Sequence, residues 1–382
     1  MVCITTDSGA NIVKPASLNK WTGLQCFGHR LHSAIGAAGK DKRVEKAVGV
    51  CKKVVSAFSY SWKKKRELFK AQERLLLPKH QLVTESPTRW GSRQKMVARV
   101  LEQQKAIAEV LFADKNNRHL IPTWQDIGVL ESLHEALTPL LEFTDSLSGE
   151  SYVTVSYVKL VLHLFRTDLL NEKDQDTQLT KDLKTTIMTY LDEKYADSAT
   201  DDLLNMAAFV DPRFKAQYIS PEKEEAIKER AVSEMLDENT GQSEAEVSEG
   251  TAGQGAEGEA ATPLPLGVKK QPSLGSFFKK QSQDDEEDAS PLTERQKVEN
   301  ELKSYLKCLD TDSESDPLEW WKVYERKFPR MSQLAKGYLC IPATSTPSEI
   351  IFSTGGNIVT CTRAALKPGM VNQLVFLAQN LQ

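Results

Sequence analysis

Apolar residues recur every three or four positions through much of the first half of this chain, which is the spacing of one face of an α-helix. The clearest stripe comprises Val44, Val48, Cys51, Val55 and Phe58. Similar stripes begin near Val97 and Ile127, and the spacing predicts further helices over about 158–170, 179–195 and 201–209. The middle of the chain is therefore predicted to be mainly helical.

The first residues follow a different pattern, which is typical of β-structure. Residues 2–6 are rich in Val, Ile and Thr, and turn-forming residues from Asp7 to Asn11 end the predicted strand. A second short apolar segment begins at Leu24. Because ligands gather at the carboxyl ends of strands in α/β sheets, a carboxylate at position 7 can reach a bound metal ion.

The composition changes between about residues 237 and 293. Glu, Ser, Gly, Ala, Gln and Pro dominate this segment, so it cannot bury enough apolar surface to offset the entropy lost on ordering. We therefore predict a disordered acidic linker over 237–293. Helical spacing resumes in 294–330, and 331–382 carries apolar clusters such as Val375-Phe376-Leu377.

The formal net charge of −4 conceals an uneven distribution. Residues 40–99 carry 17 Lys and Arg against 5 Asp and Glu, whereas residues 222–300 carry 9 against 19. The basic block indicates a surface that faces a polyanion, and the acidic block indicates a solvated tether. The run Lys63-Lys64-Lys65-Arg66 is compatible with three roles. It could be a solvated helix face, a nuclear-import signal or a patch that contacts phosphates.

The cysteines indicate a reducing compartment. Six are scattered along the chain without a CxxC pair, and no apolar run approaches membrane-spanning length. We therefore expect an intracellular protein with reduced thiols and no membrane partner. Cys26, His29 and His32 follow each other at three-residue spacing, but the chain has no second pair at zinc-finger spacing, which favours packing roles over zinc.

Two carboxylates are candidate metal ligands, although each also has a simpler structural explanation. Asp7 is compatible with an exposed turn. Glu349 follows Thr346-Pro-Ser348, where Thr346 or Ser348 would cap a helix and Glu349 would favour the helix dipole. A two-metal site needs carboxylates from separate elements to hold two Mg²⁺ ions roughly 4 Å apart.

The pair Arg89-Trp90 lies inside the basic block. A Trp beside an Arg can stack a displaced base while the guanidinium contacts phosphate. A Trp at the start of a helix can equally pack into the core, and the two roles do not exclude each other.

These motifs together resemble the hAT-family DNA transposases, and especially the zinc finger BED-type proteins descended from them. The resemblance rests on Thr5-Thr-Asp7-Ser-Gly-Ala-Asn11 with Cys26 and His29 downstream, and on Ser348-Glu349 followed by Phe352-Ser353 and Gly355-Gly356. It implies that Asp7 and Glu349 are the second and third ligands of an Asp-Asp-Glu site for Mg²⁺ or Mn²⁺. It also implies that Cys26 and His29 lie near that site.

The resemblance further implies a mixed α/β architecture. A split, incomplete RNase H-like core would be formed by residues 1–33 and 331–382, the latter including the hAT C-terminal dimerisation region. A helical insertion domain over 34–236, the linker over 237–293 and a helical segment over 294–330 would interrupt this core.

The resemblance also sets expectations for activity. The first catalytic Asp and the BED finger of the relatives would lie upstream of this sequence, so Asp7 and Glu349 are expected to be remnant ligands. They would use Mg²⁺ or Mn²⁺ only in a completed site. Ile350 stands where the family usually has Arg, and Arg89-Trp90 corresponds to a pair near the DNA end in the relatives.

We therefore expect a nuclear, DNA-associated protein of hAT transposase origin that forms homodimers or larger assemblies, without transposition chemistry and with a role in transcription. Two alternatives stay open: a fragment of an active cut-and-paste transposase, and a protein-interaction module without DNA binding. An in-frame Asp-bearing strand and BED finger in the upstream genomic sequence would favour the active transposase. DNA affinity that falls with added salt would speak against a module without DNA binding.

One apolar island interrupts the acidic linker. The run Gln271-Pro-Ser-Leu274-Gly-Ser-Phe277-Phe278 matches the Q-x-x-L-x-x-F-F pattern of peptides that bind the proliferating-cell sliding clamp. One 3₁₀ turn brings Leu274 and the Phe pair to the same side, while Gln271 stays free to hydrogen-bond at a pocket rim. Flanking lysines favour an acidic surface. A chance apolar patch and part of an import signal are the alternatives.

We predict that a peptide covering residues 267–281 binds the sliding clamp, because its aromatic pair fills an apolar pocket. Replacing both residues, Phe277→Ala with Phe278→Ala, should abolish the binding measured by titration calorimetry. Absence of binding by the unmodified peptide at about 1 mM, the weak end of the affinity scale, would contradict the assignment.

Overall fold

The computed structural model describes residues 3–7, 9, 13–15, 18–19, 21–86, 90–149, 154–246, 292–309, 311–360 and 365–381, with side chains except at 146–149 and 238–246. They form two compact units, one of residues 1–219 and 336–382 and the other of residues 220–335. The boundary at Ser220 falls inside the helical domain predicted for 34–236, because the helix that begins at Pro221 packs against the helix that begins at Glu294.

Two short parallel strands lie where the sequence predicts β-structure. Strand β1 (Cys3–Thr6) pairs with β2 (Thr22–Gln25), and Thr6 is opposite Gln25. Beyond the strands, the amide of Cys26 donates to the carbonyl oxygen of Thr6 at 2.7 Å. Parallel strands run in the same direction, so the residues that follow both strands emerge at one edge. The RNase H-like core stays a prediction.

Helices make up most of the rest of the first unit, as the apolar spacing predicts. In chain order they are α1 (Phe27–Ala38), α2 (Lys42–Ser59), α3 (Trp62–Arg74), α4 (Trp90–Glu102), α5 (Gln104–Ala113), α6 (Trp124–Gly149), α7 (Tyr157–Leu164), α8 (Gln178–Tyr195) and α9 (Ser198–Phe209). Side chains that accept a hydrogen bond from a first-turn amide cap four of them: Asp41, Ser61, Thr177 and Asp197. Such a cap typically contributes about 1 kcal/mol.

The core of the first unit forms where α1 packs against α8 and where α6 contacts both α2 and α4. Four aromatic rings meet there with centroids between 5.1 and 6.4 Å apart: Phe27, Phe143, Phe165 and Tyr195. Burying one such ring contributes roughly 1.5–3 kcal/mol. The stripe predicted from Val44 to Phe58 is buried on α2, which confirms both that helix and its inward face.

A buried ion pair forms in the turn after α9. The guanidinium of Arg213 donates to the Asp211 carboxylate at 2.9 Å and 2.7 Å, and both side chains are at most 3% exposed. Arg213 also donates to the Tyr157 hydroxyl at 2.6 Å, and the Ser156 hydroxyl donates to Asp211 at 2.7 Å. Each charge therefore has the partners that offset its removal from water.

Residues 341–345, which we call the docking segment, bind three distant parts of the first unit. The carbonyl oxygens of its first three residues accept hydrogen bonds from the Val155 amide, the Thr5 hydroxyl and the Phe27 amide, at 2.9, 2.7 and 3.0 Å. The segment is largely buried, so these bonds satisfy backbone groups that would otherwise be costly to enclose.

The second unit is helical. It contains α10 (Pro221–Glu246), α11 (Glu294–Leu306), α12 (Pro317–Tyr324) and most of α13 (Pro329–Leu339). Helix α10 continues past residue 236, beyond the predicted start of the acidic linker, and residues 247–291 lie outside the described part of the chain. A cluster of aromatic side chains joins α11 to α12 and to the start of α13: Tyr305, Trp320, Trp321, Tyr324 and Phe328.

The chain ends in two helices that pack against each other, α14 (Thr346–Ile358) and α15 (Pro368–Asn380). Neither has a buried side chain among its described residues. Across the described helices of both units, none combines the length and apolar character needed to cross a membrane.

Candidate functional site

Four side chains meet where β2 ends and where α1 and α14 begin: Cys26, His29, Ser345 and Glu349. We call them the strand-end cluster. The buried sulfur of Cys26 accepts a hydrogen bond from the Ser345 amide at 3.2 Å. The Ser345 hydroxyl donates to Glu349 Oε1 at 2.7 Å, and His29 Nδ1 lies 3.8 Å from the same oxygen. The fold thus brings Glu349 to the two residues that the resemblance places near it.

The start of α14 differs from the sequence expectation. Ser345 occupies the N-cap position, whereas Thr346 and Ser348, the predicted caps, lie inside the helix. The Ser345 backbone is held against Cys26, and the N-cap therefore lies one residue before the first of the two predicted caps and three before the second. The hydroxyl of Ser345 donates to Glu349 and caps no first-turn amide.

Helix α1 carries two histidines, His29 of the strand-end cluster and His32 one turn later. His29 Nδ1 is enclosed and has no hydrogen-bond partner among the described residues, because 3.8 Å exceeds hydrogen-bonding distance. Burial lowers the pKa of His32, and the nearby His29 and Arg93 lower it further. The charged form of His32 is therefore disfavoured.

Asp7 follows β1 at the same edge, but its side chain makes no described contact with the strand-end cluster. The carboxylate is exposed and accepts a hydrogen bond from the Gly9 amide at 3.0 Å, which is the turn considered from the sequence. Glu349 is 55% exposed. Both acids remain open to solvent at a strand end and a helix start.

The described residues do not fit a complete metal centre. Nowhere in the described part of the chain do three His, Cys, Asp or Glu side chains come together in a group that could hold a metal ion. This applies to the Mg²⁺ or Mn²⁺ site implied for Asp7 and Glu349 and to the zinc alternative at Cys26, His29 and His32. The sulfur of Cys26 is engaged by the Ser345 amide.

The basic run on α3 is divided by its ion pairs. Lys64 pairs with Asp114 at 3.3 Å, and Arg66 contacts Glu67 at 3.4 Å. No ion pair involves Lys63 or Lys65 among the described residues. Of the four cations in this run, Lys63 and Lys65 are therefore the ones most available to an incoming phosphate.

The Arg-Trp pair is only partly described. Trp90 is the first residue of α4 and is half-buried, in agreement with a helix-start position. Arg89 lies outside the described residues. The structure thus leaves both predicted roles of Trp90 open, because a half-buried indole still presents part of its ring to solvent.

Many of the large apolar side chains that are exposed in the described part of the chain lie on its last two helices. On α14 and α15 these are Ile350, Ile351, Phe352, Met370, Phe376 and Leu377, and Leu381 follows α15. Phe352 is 79% exposed and Phe376 is 65% exposed. Exposed apolar side chains grouped on two neighbouring helices are typical of interaction sites.

The polar network behind the docking segment was not predicted from the sequence. Its centre is the Asp211–Arg213 pair, and hydropathy assigns charged residues to the surface. A signal was present, since Asp211-Pro-Arg213 directly follows the continuous apolar run 206–210. Charges at the end of a buried helix must either leave the core or pair within it.

Two segments match known protein families. Residues 24–136 match the ZBED1 RNase-like helical domain, and residues 300–381 match the hAT family C-terminal dimerisation region. The whole chain is similar to human (Homo sapiens) zinc finger BED domain-containing protein 4, at 27% identity over 390 residues. The chain therefore contains an hAT dimerisation region and a ZBED1-like helical domain, and it resembles zinc finger BED domain proteins. The hAT dimerisation region includes α14 and α15, and the ZBED1-like helical domain includes the basic block.

The chain is also similar to two plant proteins. The Arabidopsis thaliana zinc finger BED domain-containing protein DAYSLEEPER is 23% identical over 309 residues, which cover 80% of this chain and 42% of that protein. The Zea mays putative AC transposase is 32% identical over 78 residues, which cover 20% of this chain and 10% of that protein. The chain covers 31% of the human relative, so it spans less than half of each relative.

Proposed function

We propose that this hAT-family chain is a nuclear, DNA-associated protein that forms homodimers or larger assemblies and acts in transcriptional regulation. The observation that carries the proposal is the exposed apolar face of α14 and α15, which lies inside the matched dimerisation region. A second copy of the same face would remove this apolar surface from water.

The energetics support a symmetric dimer. Enclosing a Phe side chain fully contributes roughly 1.5–3 kcal/mol, and a two-fold interface counts each side chain twice. Phe352 and Phe376 alone therefore supply enough free energy to offset a large part of the association cost.

The DNA component of the proposal rests on α3. Lys63 and Lys65 carry charges without ion pairs among the described residues, and they lie in the block of 17 cations against 5 acids. Binding through such residues releases counterions from DNA and needs no particular base sequence.

The run from Lys63 to Arg66 is also the proposed nuclear-import signal. A tagged chain that stays nuclear after Lys63→Gln and Lys65→Gln would contradict that role.

The proposal includes no cleavage or joining of DNA by this chain alone. It is supported by the separate surroundings of Asp7 and Glu349, which share no described contact. Nicking that requires Mg²⁺ or Mn²⁺ and disappears in Asp7→Asn or Glu349→Gln would contradict it.

Two alternative functions have some support. A fragment of an active transposase remains an alternative that the full-length transcript decides; the chain covers 31% of the human relative's length. The apolar face agrees with a protein-interaction module that has no DNA role. The sliding clamp remains a proposed further partner of residues 271–278, which lie outside the described residues.

We predict that Lys63→Gln with Lys65→Gln weakens the salt dependence of DNA binding. Each lost phosphate contact lowers the slope of log K against log salt by about 0.9, so the double variant should lose about 2. Fluorescence anisotropy with a labelled duplex, from about 50 to about 200 mM salt, measures this slope.

The matched control is Lys64→Gln, because Lys64 is already paired with Asp114. Its slope should stay close to that of the unmodified chain. An unchanged slope in the double variant would show that this helix face is only solvated.

We predict that Phe352→Ser with Phe376→Ser weakens self-association by at least ~100-fold, because two exposed rings per protomer no longer gain burial. Analytical ultracentrifugation across a range of concentrations measures the dissociation constant. The control is Phe112→Ser, since Phe112 is 62% exposed but lies on α5, outside the dimerisation region. A monomer at tens of micromolar, on the order expected of a weak complex, would remove the dimer from the proposal.

A further inference from the structure

We infer that the surface at the start of α3 binds single-stranded nucleic acid, with an unpaired base stacked on Trp62. This inference deepens the proposed DNA association and rests on it. We define the Trp62 surface as Tyr60, Trp62, Lys63 and Lys65, which follow one another across the turn from α2 into α3.

The aromatic rings of this surface are unusually open. Tyr60 is 91% exposed and Trp62 is 73% exposed, although large aromatic side chains normally bury most of their area. The guanidinium of Arg66 lies 5.0 Å from the Trp62 ring centroid, which places a cation against one face of the indole. The remaining face is available to a planar ligand, and it carries no protein group among the described contacts.

Two cavities continue the surface along α2. The larger, of about 280 Å³, is lined by Tyr60 together with Ser56, Ser59 and Thr84. The smaller, of about 50 Å³, is lined by Lys65 and again by Ser59. Ser59 lines both cavities, with Tyr60 at the larger and Lys65 at the smaller, and we call the two neighbouring cavities the trough.

The charges of the trough favour an anionic ligand. The Glu85 carboxylate lines the larger cavity, but Lys52 at 2.9 Å and Arg93 at 2.8 Å neutralise it. Those two cations hold the pKa of Glu85 below its usual range against the opposing effect of burial. With Lys63 and Lys65 unpaired among the described residues, the net local charge is positive.

The combination of open rings and unpaired lysines indicates nucleic acid. Aromatic rings that stack bases alternate with cations that contact phosphates in proteins that bind single strands. An acidic peptide would use the lysines but would gain little from the free face of Trp62. The charge complementarity and the aromatic faces therefore point to the same ligand.

A single strand fits better than a duplex. The bases of a duplex are paired and stacked inside the helix, so an exposed indole has no base face to contact unless the duplex opens. A single strand presents each base at little cost, and the stacking is tolerant of base identity because every base has a π-face. We therefore expect a preference for single strands with weak sequence dependence.

Anisotropy titrations of the full chain test the inference, with a labelled oligothymidylate of about 16 nucleotides and a duplex of equal length. Trp62→Ala should weaken single-strand binding by about tenfold and leave the salt slope unchanged, because no charge is removed. Trp62→Phe keeps a π-face and should retain most of the affinity. Duplex binding should change little in either variant.

The matched control is Trp124→Ala, because Trp124 is 82% exposed at the start of α6, where Asp126 is in the first turn. Its single-strand affinity should equal that of the unmodified chain. Unchanged affinity in Trp62→Ala, an equal loss in Trp124→Ala, or equally strong competition by polyglutamate would overturn the inference. If neither nucleic acid binds with any salt dependence, the proposed DNA association itself is wrong; duplex binding without a Trp62 effect refutes only the stacking.

Discussion

The backbone of the docking segment must find hydrogen-bond partners inside the first unit, and the strand-end cluster depends on that constraint. Three consecutive carbonyl groups accept from Val155, Thr5 and Phe27, which are far apart in sequence. A buried carbonyl without a partner costs on the order of 1–3 kcal/mol. The position of Glu349 follows from this docking, because Ser345 contacts both Cys26 and Glu349.

A buried network lies behind the docking segment. Thr154 forms a bridge with Pro342, and its hydroxyl bonds to that of Ser156, which in turn donates to Asp211. Removing one partner of a buried ion pair such as Asp211–Arg213 costs on the order of 3–5 kcal/mol, because the other charge stays enclosed. The network therefore links a turn that follows α9 to the edge where the two strands end. We place function on two surfaces of this unit that expose large apolar side chains, the α14–α15 face and the Trp62 surface.

The sequence predicted those parts of the fold that depend on local periodicity. The stripe of α2, from Val44 to Phe58, was predicted correctly because a helix of that length buries one continuous face. The first strand was predicted from a short run of β-branched residues before turn formers, whereas the second was indicated only as a short apolar segment from Leu24, and the structure begins it at Thr22 and pairs it in parallel with the first. The helix cap at Ser345 was not, because it is set by a contact with Cys26, more than three hundred positions away. The ion pair at Asp211 and Arg213 was missed for a similar reason.

The candidate site was predictable only in part. Cys26, His29 and Glu349 were placed together by resemblance, and the structure brings these three side chains to one cluster. Periodicity carries no information on which cations form ion pairs, so the sequence could not separate Lys64 from Lys63 and Lys65. Nor could it show that Trp62 is exposed, since an apolar residue beside an amphipathic stripe is expected to pack inward.

Amide hydrogen exchange followed by NMR tests most directly the claim that the docking segment holds the strand-end cluster. The amides of Phe27, Val155 and Ser345 should be protected in the unmodified chain and should lose protection together, by about 100-fold or more, in Arg213→Ala, while Val55 in the core of α2 loses less. Rapid exchange of Ser345 in the unmodified chain, or loss of protection at Val155 without a change at Phe27 and Ser345, would contradict the account.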